Sequence, residues 1–161
     1  MSAHKRIATT SLAALFLAPA PSLPADPPAK DVDMLRSLHD KAIRAHRESD
    51  AALLVADQAA DMIIVNRGAV TRPSLEERRA SFGSYLGRTV FSEYRDLVEP
   101  VVKVSSDGSL GWVIVQVGAR GVQAMDDGTK KPIEFVSAWI ELYEKRDGRW
   151  YAVGNVSNFR P

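Results

Sequence analysis

Residues 103–151 read KVSSDGSLGWVIVQVGARGVQAMDDGTKKPIEFVSAWIELYEKRDGRWY, and this stretch decides the fold. Asp-Gly occurs at 107–108, 127–128 and 147–148, each pair twenty residues after the last. Runs rich in Val, Ile, Trp, Phe and Tyr flank every pair, which is the strongest short-range signal for a β-hairpin. Three hairpins predict an antiparallel meander of four strands, at about 99–105, 110–122, 132–145 and 149–159. An earlier strand, Val90 to Leu97, extends the sheet.

Upstream of the sheet the period changes. Met34, Leu35, Leu38, Ala42, Ile43 and Ala45 share half of a helical wheel over residues 31–48, with Arg36, Asp40, Lys41, Arg44, Arg47 and Glu48 on the other half. Asp50 suits the N-cap of a second, short helix through Leu53 and Leu54. Met62 to Val65 reads as a buried strand that breaks at Gly68. Ser74-Leu75-Glu76-Glu77 is a capping box for a third helix ending near Leu86, with Glu76, Glu77, Arg78 and Arg79 as its solvated face. Helices followed by a curved sheet predict an α+β domain over residues 31–161.

Residues 1–30 are of another kind. Lys5 and Arg6 precede an apolar run from Ile7 to Ala20, and five of the nine prolines lie between 19 and 28. That order predicts a secretory signal peptide over 1–25 and a linker over 26–30, cleaved after Ala25, with Ala20 as the other position. The plainer reading is a disordered tail with an apolar patch. Cleavage would remove Lys5, Arg6 and no acid, taking the formal charge from +1 to −1. A near-neutral chain has no electrostatic footprint for nucleic acid, so no nucleic-acid partner is expected. The chain has no Cys, which excludes disulfides, thiolate nucleophiles and Cys-ligated zinc. Periplasmic or secreted localisation is expected, without a stable membrane anchor after cleavage.

Treating each Asp-Gly as the centre of a two-residue loop fixes a register: Gln116 opposite Trp139, Trp112 opposite Tyr143, Ile140 opposite Asn155. One face then collects Val113, Val115, Val117, Ala119, Val136, Ala138, Ile140, Leu142 and Val153, with Asn155 and Ser157 further along, and must cover the helices. The other collects Trp112, Gln116, Trp139, Glu141, Tyr143 and Trp150, an interface-like composition that predicts a homodimer packed sheet against sheet. The alternative is a set of cross-strand aromatic pairs on an exposed sheet.

Several of these residues together resemble nuclear transport factor 2-like domains. They are Asp50 before a short helix, Ala60-Asp61-Met62-Ile63-Ile64-Val65 leading to Gly68, Asp107-Gly108-Ser109, Trp139 to Lys145, and Asp147-Gly148-Arg149-Trp150 before Asn155-Val156-Ser157. The sequence is most similar to the SnoaL-like, ketosteroid-isomerase-like branch, in particular its secreted members of unassigned function, over about residues 31–160. The resemblance implies a cone: a curved antiparallel sheet wrapped around about three helices, with a pocket at its open end and dimers through the outer sheet face. Ketosteroid isomerases shuttle a proton on a carboxylate. Their base aligns with Asn66 here and their helix-borne Tyr near Ala42, and neither residue can do that work.

His39 and His46, seven apart on the first helix, share a side that faces the space between helix and sheet. Histidine serves as base or donor near neutral pH, and the plainer reading is a satisfied core histidine. Two turns separate the pair, too far for joint ligation, so no metal site and no cofactor are expected. The expected pocket comprises His39, His46, Asn66, Tyr94, Asp96, Asn155 and Ser157, with His46 and Asp96 the candidates for catalysis. The sequence therefore predicts an exported domain that binds a small apolar or amphipathic molecule. Alternatives are an isomerase or hydrolase with a His-centred acid/base pair, and a dimeric assembly module without ligand.

Overall fold

The computed structural model describes residues 29–160. The expected signal peptide, 1–25, and residues 26–28 of the expected linker lie outside the described residues. The remaining linker positions already belong to helix α1, Ala29–Arg47, followed by α2, Ala51–Val55. The rest of the order is β1 Gln58–Asn66, β2 Ala69–Thr71, α3 Leu75–Arg88, β3 Thr89–Asp96, β4 Val101–Val104, β5 Leu110–Ala124, β6 Lys130–Arg146 and β7 Arg149–Arg160.

The caps form where the sequence places them. Asp50 accepts the Leu53 N–H at 2.8 Å, and Ser74 and Glu77 close a reciprocal capping box. These side chains satisfy N–H groups that the first helical turn leaves without intrahelical partners. Along α1, Asp31, Leu35, His39 and Ile43 are buried at every fourth position, one ridge laid on the sheet.

The seven strands form one open sheet in the order β2-β1-β7-β6-β5-β3, with β4 sharing the β5 edge that β3 also occupies. β1 runs parallel to β7, and every other pairing is antiparallel. Val113, Val115 and Val117 on β5 are at most 2 % exposed and pack with Leu35, Met62, Tyr94, Tyr143 and Trp150 into the core.

The three Asp-Gly turns are not equal hairpins. Asp147 and Gly148, both at positive φ, form a two-residue loop between the paired Arg146 and Arg149. At 107–108 the loop is longer, but Ser105 still pairs with Leu110 and the expected register holds. At 127–128 the loop holds three residues, 126–128: Met125 N–H bonds the Thr129 carbonyl at 2.8 Å, Gly128 N–H bonds the Met125 carbonyl at 3.0 Å, and Ala124 pairs with Lys130 beyond them. One extra loop residue moves the register by one and turns β6 over. Gln116 faces Ala138, not Trp139, and Trp112 faces Leu142, not Tyr143.

A bulge then shifts β7 by one residue, between the Tyr143–Ala152 and Leu142–Gly154 pairs, so Ile140 faces Val156. The two shifts compensate for β7, and Asn155 and Ser157 keep the inner face expected of them. They do not compensate for β6. Trp139, Glu141 and Tyr143 lie inside the cone, and so does Trp150 on the first residues of β7, correcting their assignment to the outer face. Val136, Ala138, Ile140 and Leu142 lie outside.

A second correction concerns α3. Arg78 is 2 % exposed rather than solvated. Its guanidinium donates to the Gln58 side chain at 2.9 Å and to the Pro73 and Ala59 carbonyls at 2.5 Å each. α3 is thereby tied to the start of β1.

Candidate functional site

Between the inner face of the sheet and the helices lies a cavity of about 550 Å³. Phe135, Ser137, Trp139 and Glu141 of β6 form one wall, because alternate residues of a strand share a face. Met62, Ile64 and Asn66 of β1 form another, and Phe82 and Tyr85 of α3 cover it. Asn66 and Arg67 stand exposed at the mouth, while Glu141, Gln58 and Ala42 lie where the cavity meets the helices.

Polar groups interrupt this mainly apolar surface, among them His46, Glu141, Asn155 and Arg67. His46 donates its Nδ1 hydrogen to the Ala42 carbonyl at 2.8 Å, since a carbonyl can only accept. Its Nε2 is then the unprotonated nitrogen of a neutral ring, with no partner among the described residues. Burial pulls the His46 pKa down, the Ala42 bond acts against that, and nearby His39 lowers it further. The ring stacks on Tyr94, centroids 4.2 Å apart and planes 9° from parallel. Burial drives the Tyr94 phenol pKa well up, and its hydroxyl also has no partner among the described residues. Tyr85 is pushed up to about 12 by the same cause.

Glu141 is the carboxyl of the cavity. The Tyr143 hydroxyl donates to its Oε2 at 2.8 Å, and Asn155 is its register partner on β7. Burial raises its pKa, opposed by the Tyr143 bond and by the charge of His39. Glu141 and His46 thus place a carboxyl and an imidazole on one cavity, each hydrogen-bonded to a different partner.

Of the seven pocket residues expected from the sequence, the structure brings His46, Asn66, Tyr94, Asn155 and Ser157 to the cavity. His39 and Asp96 are not on its lining. His39 is fully buried, and its Nε2 lies 2.9 and 3.1 Å from the two Asp96 carboxylate oxygens. Its Nδ1 has no hydrogen-bond partner among the described residues, and its ring centre is 6.4 Å from that of Trp139, a cavity wall. Seven helical residues advance about 10 Å along the axis, so the two histidines meet the sheet at different depths. The expected His46–Asp96 pair is therefore replaced by His39–Asp96, which braces the wall from behind. Trp139 and Glu141, assigned to the outer face by sequence, are the site residues that reasoning misplaced, and Gln58, Phe82 and Phe135 are ones it did not single out. No group of three His, Asp or Glu among the described residues is arranged to hold a metal ion.

A curved open sheet folded over three helices, with a cavity between them, is the nuclear transport factor 2-like fold. No family model and no curated protein matches this sequence. Solved structures do match in fold. A nuclear transport factor 2-like protein from Cytophaga hutchinsonii superposes with a TM-score of 0.61 at 14% identity, covering 78% of this chain and 95% of the other. A ketosteroid isomerase-like protein from Erwinia carotovora atroseptica gives 0.59 at 15% identity, covering 82% and 98%. An uncharacterised protein with a cystatin-like fold from Caulobacter vibrioides gives 0.63 at 13% identity, covering 82% and 91%. The likeness is one of fold, and function has to be argued from the cavity.

Proposed function

We propose that the protein binds a small apolar or amphipathic molecule in the cone cavity. The observation that carries this is the cavity itself: about 550 Å³, walled by Phe, Tyr, Trp, Ile and Met with polar side chains between them. Volume and composition both match those of small-molecule sites. Ser137, a small residue on the inner face between Phe135 and Trp139, offers a test. Ser137→Trp puts an indole across the cavity and is expected to abolish uptake of an apolar fluorescent probe while the protein stays folded. Uptake at the wild-type level would overturn the reading.

Acid/base catalysis is the second reading, favoured by Glu141 and the free Nε2 of His46 in one cavity. It replaces the His46–Asp96 pair as the basis for an isomerase or hydrolase. Glu141→Gln separates the two readings, keeping ligand affinity and removing turnover; persistent turnover would exclude the carboxyl. The same variant reads the electrostatics. Because the folded-state pKa is raised, the folded protein holds this proton more tightly than the unfolded chain. Stability from this group is fully present below the ordinary glutamate value and is lost as pH rises through the folded-state value. Glu141→Gln is therefore expected to melt higher than wild type at pH 7–8 and to lose the advantage near pH 4, in calorimetric scans. An unchanged difference across that range would show that the carboxyl is not penalised by burial.

The setting we infer is an exported homodimer. Trp112, Ile114, Ile140, Leu142 and Val156 make the outer sheet face apolar, with Ile114, Leu142 and Val156 at 40–43 % exposure. Large exposed apolar faces on a sheet are interaction surfaces. Sedimentation at micromolar concentration is expected to give twice the chain mass, and a monomer would overturn the interface.

A further inference from the structure

The two ends of the cavity differ in charge. The deep end holds Glu141, whereas the His46 ring lies further along, stacked on Tyr94 in the row that joins Tyr94, Ala119 and Phe135. At the mouth, Arg67 is the one permanent cation among the described residues that line the cavity. It is exposed and makes no ion pair or hydrogen bond among them. By contrast, the arginines of the surrounding shell, Arg47, Arg78 and Arg88, are engaged with carbonyls or carboxylates.

The backbone makes this placement more telling. Arg67 sits at φ 51 and Gly68 at φ 78, the two central residues of the turn joining β1 to β2. A turn of that type favours Asn, Asp or Gly at its first central position, because they tolerate positive φ best. An arginine held there is not explained by hairpin formation. It is explained by a guanidinium kept at the rim, and strained positions of this kind gather at functional sites.

The geometry points to an apolar molecule with an anionic head group, a carboxylate, as the ligand class of this cavity, its head on Arg67 and Asn66. The apolar body runs inward past Trp139 and Ile64, under Phe82. This assignment rests on the cavity being a binding site. A carboxylate at the mouth keeps water on one side and meets a guanidinium fork on the other. Placed at the deep end instead, it would share an apolar enclosure with the Glu141 carboxyl, and like charges there disfavour one another. Register sets the length. Glu141, Asn155 and Ile64 lie in one row across the sheet. Arg67 follows Ile64 by three residues, so the body accommodated between mouth and floor is about 10 Å long.

Isothermal titration of the purified protein with octanoate and decanoate, each against its methyl ester, tests the assignment. The free acid is expected to bind roughly tenfold more tightly than the ester, the worth of one charged hydrogen-bonded contact. Arg67→Asn suits the positive φ and leaves the turn intact. It is expected to bring the acid down to the affinity of the ester without changing the ester. Added salt should weaken only the acid. Equal affinity of acid and ester for wild type, or a preference that survives Arg67→Asn, would overturn the head-group assignment and leave the cavity reading standing. Failure of wild type to bind either partner of both pairs would overturn the cavity reading and this assignment together.

Discussion

Replacing Arg78 by alanine is expected to destabilise the fold by about 4 kcal/mol, enough to unfold a large share of a marginally stable domain at physiological temperature. The side chain is almost fully buried, and its three contacts reach Gln58, Pro73 and Ala59. Truncation leaves two carbonyls and an amide oxygen without donors and opens a void the length of the side chain. Both losses act in the same direction. Arg78→Lys should recover only part of the loss, because a single ammonium cannot span three acceptors held in a planar fork. Urea unfolding of both variants is the measurement. A loss under 1 kcal/mol for the alanine variant would mean that α3 is held to β1 by its apolar contacts alone.

Gly121→Ala is expected to cost about 3 kcal/mol, at the upper end for inserting one carbon into a packed position. A Cβ at this site would collide with the carbonyl oxygen of Val90, and the obstacle is main chain rather than a side chain able to rotate away. β3 bulges here, between Phe91 and Glu93, and the close approach of the two backbones is what the bulge requires. Next to it, Gln123 donates to Thr89 at 3.1 Å and also lines the cavity, so forcing β3 and β5 apart would disturb the binding surface as well. Gly83→Ala is the control. That glycine lies on α3 with nothing within 4 Å of an added Cβ, and the substitution should stabilise by about 0.5–1 kcal/mol. Thermal scans giving the two variants the same sign would refute the argument from contact.

The architecture is largely legible in the amino acids because local signals agree with the global fold. Ser74 and Glu77 start α3, Asp50 starts α2, and three Asp-Gly pairs mark three hairpins. What the sequence does not resolve is which side of β6 faces inward. Phe135, Trp139 and Tyr143 alternate with Val136, Ala138, Ile140 and Leu142, so both faces are apolar and periodicity cannot choose between them. Only loop length decides, and it turns on a single residue. Asp127 accepts from both the N–H and the hydroxyl of Thr129, at 2.9 and 2.6 Å, which favours three loop residues over two. That hydrogen-bonding capacity is written in Asp127-Gly128-Thr129, and the same pattern at Asp107-Gly108-Ser109 belongs to a loop that keeps the register. His39 and His46 are ambiguous for a different reason. One helical side holds both, yet one meets a carboxylate in the core and the other meets open space.

The pairing of β1 with β7 joins positions 91 to 94 residues apart, from Gln58–Ala152 to Val65–Val156. Until β7 exists, β1 has only the three-residue β2 beside it, and the inner edge of β6 stands open. Contacts between such distant positions form late, after the entropy of closing the intervening loop has been overcome. The sheet therefore cannot be completed on a ribosome that has yet to synthesise residues 149–160. This order of assembly works as a timer: Asn155 and Ser157 of β7 line the cavity, so the binding surface is complete only when the last strand docks.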